Sequence, residues 1–141
     1  MLKKILVAFD GSQESYKAFD FALNFSKECS SKERKITVLS VAQPPEPADI
    51  VEIKAVLDSA TEYYKKEFEK VFLVAKEYGI EVKTDIVVGH PADQIVRYAT
   101  ENGFDMIVIG QRGMSKIERW ILGSVSRRVA TYAKCPVVIV K

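Results

Sequence analysis

Five short apolar runs divide this chain, at residues 5–9, 35–41, 80–88, 105–109 and 136–140, and a stretch with helical periodicity lies between each run and the next. This alternation constrains the fold more than any other feature. Strands alternating with helices imply a parallel sheet covered by helices on both faces. The crossovers are expected to be right-handed. Most of the runs are continuous rather than alternating, as expected of strands buried on two sides. The sequence therefore predicts a three-layer α/β/α fold around a five-stranded parallel sheet. With the first strand central, the second and third on one side and the fourth and fifth on the other, the order is 3-2-1-4-5. Ligands in such sheets bind beyond the carboxyl ends of the strands where the winding reverses, here between strands one and four. Those ends carry Asp10 and Gly110, so an acid and a glycine far apart in sequence are expected to flank one crevice.

The helices carry recognisable punctuation. Ser12 suits an N-cap with Ser15 as its third helical residue, and Ala18, Ala22, Phe25 and Cys29 are the expected inward face. Pro44, Pro45 and Pro47 mark an exposed loop. A long helix is predicted over residues 50–78, with an inward stripe running from Ile53 and Leu57 through Tyr64 and Phe68 to Ala75 and Tyr78. Gly79 stops it. Pro91 suits the first turn of a third helix, with Ile95 and Ala99 inward and Gly103 at its end. A last helix over 124–133 should bury Val125, Val129 and Tyr132.

Between the fourth run and the last helix lies Gly110-Gln-Arg-Gly113, followed after nine residues by Gly123-Ser124. A G-x2-G-x9-G-[ST] pattern arises by chance in roughly one chain in a few hundred of this length. Here it falls at a strand-to-helix junction. Glycine allows close backbone approach, and a helix start offers unpaired N–H groups and the positive end of the dipole, which suits phosphate. Arg112, Lys116, Arg119, Arg127 and Arg128 cluster around the loop, with Glu118 as the acid within it. The loop is expected to hold the phosphates of a nucleotide, with Trp120, Ile121 and Leu122 plugging apolar surface beneath it or at a contact between subunits.

Composition sets the outer bounds. The 141 residues are enough for one domain, over 1–141, with a proper core. A content of 48% hydrophobic and 28% charged residues fits a globular protein, and a net charge of +2 is too small to argue for nucleic acid. Arg127 and Arg128 come without a nucleic-acid recognition motif. No apolar run is long enough to span a membrane, and the short opening run, broken by Asp10 and Gly11, is not a signal sequence. A cytoplasmic protein is expected. Cys29 and Cys135 form no metal-binding or disulfide pattern and are expected to be reduced and mostly buried. The lone histidine, His90, is expected to be a turn residue.

Three stretches together resemble the universal stress protein family: Ile-Leu-Val-Ala-Phe-Asp-Gly-Ser at 5–12, the glycine pattern at 110–124, and Cys-Pro-Val-Val-Ile-Val at 135–140. The glycine pattern is that of the ATP-binding branch. The resemblance implies a Rossmann-like domain of the adenine nucleotide alpha hydrolase-like kind, binding ATP, or AMP or ADP, with or without Mg2+. It implies that Asp10 accepts hydrogen bonds from ribose hydroxyls, which suits an acceptor-only carboxylate, and that Val41 meets the adenine. Gly110, Gly113, Gly123 and Ser124 would wrap the phosphates, with Val125 and Ser126 adding backbone or hydroxyl groups. Arg112 is added on chemical grounds, since a guanidinium forms charge-assisted bonds to phosphate. The resemblance also implies a homodimer paired through the last strand, from Pro136 to Val140. An apolar edge strand needs a cover on independent grounds.

The expected function is a stress-response regulator that acts as a nucleotide-dependent homodimeric switch toward an unknown protein partner. Two alternatives stand beside it, a slow ATP hydrolase or phosphate-transfer enzyme and an interaction module that binds no nucleotide. Walker A is absent and no general base is evident, so efficient turnover is not expected. A receiver domain lacks its aspartate after strand three, where Val87-Val88-Gly89-His90 stands instead. A dinucleotide carrier lacks G-x-G-x-x-G after strand one.

Overall fold

The computed structural model describes residues 2–28, 34–111 and 123–141. Its elements follow the expected alternation: β1 (Lys4–Ala8), α1 (Gln13–Glu28), β2 (Lys35–Ala42), α2 (Ile50–Tyr78), β3 (Val82–Val88), α3 (Pro91–Glu101), β4 (Met106–Gly110), α4 (Ser124–Tyr132) and β5 (Val137–Val140). All strand pairs are parallel, and the order is β3-β2-β1-β4-β5. Ile5 lies between Ile36 of β2 and Met106 of β4, so β1 is central and the winding reverses between β1 and β4.

Successive side chains of a strand point to opposite faces, and the core divides accordingly. Ile5, Val7 and Phe9 face α1 and α2, together with Val38 and Val108. Leu6 and Ala8 face α3 and α4, together with Leu39, Ile107 and Ile109. Each large aliphatic side chain fully buried in these layers contributes about 1.5–3 kcal/mol. At the amino end of the sheet the Asp105 carboxylate accepts hydrogen bonds from the Lys3 and Lys4 amides at 3.0 and 2.9 Å, tying β1 to the start of β4. No helix among the described residues is long and apolar enough to cross a membrane.

The helix ends follow local chemistry. Ser12 Oγ accepts from the Ser15 amide at 3.2 Å. Asp49 caps α2 through the Glu52 amide at 2.8 Å, and Gly79 closes it in the left-handed conformation. Helix faces were less legible. In α1 Ala18 and Ala22 are buried as expected, and Phe19 and Leu23, one position round, are fully buried beside them. Phe25 sits at the rim beneath the Arg34 guanidinium, 4.4 Å from its ring centre. Cys29 lies outside the described residues. In α4 Val129 is buried, but Tyr132 is exposed; Ala133, the next residue, packs inward in its place as the chain turns toward β5. Ile53 and Leu57 of α2 are also exposed, and burial begins only at Tyr64. Cys135 is a free thiol, half-buried, and burial pushes its pKa up.

Candidate nucleotide site

A cavity of about 410 Å3 opens beyond the carboxyl ends of β1, β2 and β4, where the winding reverses. Its volume is typical of small-molecule sites. Its wall brings together Asp10, Val41, Gly110, Gly123, Ser124, Val125 and Ser126, the expected site residues that fall within the described chain. Arg112 and Gly113 lie outside the described residues, as do Lys116, Glu118, Arg119 and the Trp120–Ile121–Leu122 triplet.

Asp10 follows β1. Its Oδ1 accepts from the Ser12 amide at 2.9 Å, the local turn that aspartate favours. The same carboxylate therefore shapes the entry to α1 and faces the cavity, and the two readings of Asp10 are compatible. Oδ2 has no partner among the described residues. Gly11, at φ 83, lets the chain turn there without strain.

The two glycines also have local structural roles. The side of Gly110 that would carry a Cβ is filled by the Glu14 backbone of α1. Its lack of a side chain allows helix and strand to touch, while its backbone lines the cavity. Gly123 is the N-cap of α4 with φ −58 and ψ 150, a conformation open to any residue. The first intrahelical donor is the Arg127 amide, bonded to the Gly123 carbonyl at 2.9 Å. The amides of Ser124, Val125 and Ser126 precede it, and a helix leaves such groups unpaired. They carry the partial positive charge of the helix start into the cavity wall.

Ser126 is buried, and its hydroxyl donates to the Gln111 and Gly123 carbonyls at 2.9 and 3.0 Å. The Gly123 amide also donates to Gln111, at 3.0 Å. These bonds join the end of β4 to the start of α4 across the intervening loop. They also commit the Ser126 proton, so Ser126 can offer an anion its amide but not its hydroxyl. Arg128 has an ion-pair partner on α3. Its Nη2 lies 2.9 Å from Oδ1 of Asp93 on α3, an acid that local sequence did not associate with it.

Several wall residues were not legible in the sequence. Leu39, Pro91 and Ile95 make the apolar side near Val41, and Gln43 sits at the rim. Pro91 and Ile95 come from the start of α3, which the topology alone carries to this end of the sheet. Tyr64 of α2 lines the cavity as well. Burial, and then the negative charge of Asp10, push its hydroxyl pKa up to about 12, while a hydrogen bond with Ser40 opposes the rise. Ser40 in turn donates to the Phe9 carbonyl at 2.8 Å. Tyr64 is thus a neutral hydroxyl at neutral pH, positioned beside the acid. A Tyr on a helical stripe looks like a core residue, and only the tertiary fold makes it a wall of the site. His90 is the N-cap of α3 without a side-chain capping bond, as expected of a turn residue. Among the described residues no group of three or more His, Cys, Asp or Glu side chains is gathered as a metal site.

The whole chain, residues 1–141, matches the profile of the Universal stress protein family. Universal stress protein MJ0531 of Methanocaldococcus jannaschii is 34% identical over 145 aligned residues, which cover 100% of this chain and 83% of that protein. YxiE, a universal stress protein of Bacillus subtilis, is 35% identical over 151 aligned residues that cover 100% of both. Among solved structures, MJ0577 of Methanocaldococcus jannaschii superposes with a TM-score of 0.82 at 30% identity, covering 100% of this chain and 96% of that one. A universal stress protein solved in complex with cAMP superposes with a TM-score of 0.68 at 26% identity, covering 99% and 97%. Its sheet order, its glycine spacing and these matches agree: the chain belongs to the universal stress protein family.

Proposed function

We propose that this protein binds an adenine nucleotide in the cavity between β1 and β4 and that occupancy switches its contacts with other proteins. The observation that carries the reading is the meeting of Asp10 with the first turn of α4 in one wall. An acceptor-only carboxylate suits ribose hydroxyls. Three amides at a helix start, without a backbone partner among the described residues, suit phosphate oxygens. The apolar side made by Val41, Leu39 and Ile95 suits a base. The relative solved with cAMP supports an adenine nucleotide as the class of ligand, and the glycine spacing favours ATP over AMP or ADP. Mg2+ would arrive on the phosphates, as that ion commonly does.

The switch would act through α2, because Tyr64 stands in the cavity wall while the first turns of that helix are exposed. A homodimer through β5 fits the same picture. β5 is an edge strand with half-buried apolar residues from Val137 to Val140, and an uncovered edge of that kind invites pairing.

The test is direct. The purified protein is denatured and the released small molecules are identified by mass spectrometry, and ATP and AMP are titrated into emptied protein by calorimetry. Adenine nucleotide in the first assay, or saturable ATP binding in the second, is the expected result. The absence of both would leave an interaction module that holds no nucleotide. Phosphate release in the same samples separates a carrier from a hydrolase.

A further inference from the structure

Helix α2 is longer than the sheet it covers. It runs back along the sheet from the carboxyl end of β2, and its apolar stripe is continuous: Ile50, Ile53, Leu57 and Ala60 lead into Tyr64, Phe68, Val71 and Ala75 at spacings of three and four. Only the second half of that stripe is buried. Tyr64, the first buried residue, stands in the wall of the cavity beyond the strands. Ala60 still packs against the core, and the turns before it extend beyond, by about 15 Å at 1.5 Å per residue. Along this half Ile50 is 85% exposed, Val51 76%, Ile53 39% and Leu57 36%. Most of the large apolar side chains exposed among the described residues lie on α2. A stripe with the register of a core and no core beneath it marks a contact surface.

We propose that the projecting half of α2 is a self-association surface, on which the same half-helix of a second copy of this chain docks antiparallel. The flanking charges choose this occupant. Lys54 and Asp58 lie four residues apart on one flank of the stripe, and neither has an ion-pair partner among the described residues. In an antiparallel pair each flank meets the same flank of the other helix. A two-fold axis at Val56 sets Lys54 opposite Asp58 of the partner subunit, and Asp58 opposite Lys54 of the partner subunit. In that register Ile53 packs beside Leu57 of the partner subunit, and no like charges are opposed across the seam. The surface is thus complementary to itself, as an isologous contact requires. Three helical turns are less than the area of a stable stand-alone interface, so the association is weak and depends on concentration. It does not use β5 and does not require bound nucleotide.

Sedimentation velocity over a protein concentration series tests the proposal. The wild type should self-associate, and Ile53→Lys should weaken the association at least tenfold. Lys54→Asp and Asp58→Lys should each weaken it, and the double variant should restore it. All of these positions are exposed, and far-ultraviolet circular dichroism checks that the helix is kept. If β5 also pairs, the variants move a dimer–tetramer equilibrium; if it does not, they move a monomer–dimer one, so failure of the β5 reading is seen separately. Association unchanged by Ile53→Lys overturns the proposal. So does a double variant no better than the singles, or a wild type that stays in one state across the series; protection of amides 50–60 from hydrogen exchange would then mean that the chain covers the stripe itself.

Discussion

A Cβ at Gly110 would stand 2.8 Å from the carbonyl oxygen of Glu14 and 2.9 Å from its carbonyl carbon. The end of β4 and the first turns of α1 thus meet backbone to backbone, and nothing in that contact can swing aside. Gly110→Ala should destabilise the fold by about 1–3 kcal/mol, the usual cost of overpacking. The midpoint of urea unfolding, with an unchanged slope, is the measurement; a midpoint equal to wild type would mean that α1 moves freely on the sheet.

Asp10→Asn separates the two tasks of that carboxylate. The amide oxygen can still accept from Ser12, so the turn and the melting temperature should persist. The charge-assisted bonds that the proposed nucleotide complex gives to ribose would be lost, and nucleotide affinity should fall by about 1.5–3 kcal/mol, the range for hydrogen bonds to a charged group. Calorimetry with ATP measures it, and 2′,3′-dideoxy-ATP should bind the wild type with a comparable loss.

Ser126→Ala removes the hydroxyl that joins the Gln111 and Gly123 carbonyls. The buried bonds should cost about 1–3 kcal/mol in stability. Affinity for nucleotide should fall too, because the α4 amides lose their anchor to β4. A variant that matches wild type in both respects would show that the β4–α4 junction is held elsewhere.

Asp105 predicts a pH dependence. The Lys4 amide, and then the Lys3 amide, hold its carboxyl below the usual aspartate range. A carboxylate with a depressed folded pKa adds stability above its unfolded value, near 4, and loses it as the pH falls through the folded value. Asp105→Asn should therefore be less stable than wild type at pH 7, with the gap closing as the pH falls through the folded value. Urea unfolding at pH 7 and in acid checks the sign. A gap that widened in acid would reverse it.

Local chemistry announced much of this protein. The Ser12 and Gly79 caps, the Pro91 helix start and the apolar strands each need only neighbouring residues to be understood. Connection rules left a few strand orders, and the one with the first strand central put Asp10 and Gly110 at one reversal. The helix faces were harder. The stripe from Ile53 to Ala75 has one periodicity along its whole length, and periodicity records which side of a helix is apolar, not where the sheet beneath it ends.

The residues of the chain therefore determined the layers, the winding and the ends of β1 and β4, because these depend on interactions between near neighbours and on a strong preference for right-handed crossovers. Only the tertiary structure decided that Tyr64 walls the cavity, that Arg128 answers Asp93 on another helix, that Ser126 closes a junction and that half of α2 overhangs the sheet. Each of these turns on the distance between elements remote in sequence, and that distance is set by how whole faces pack.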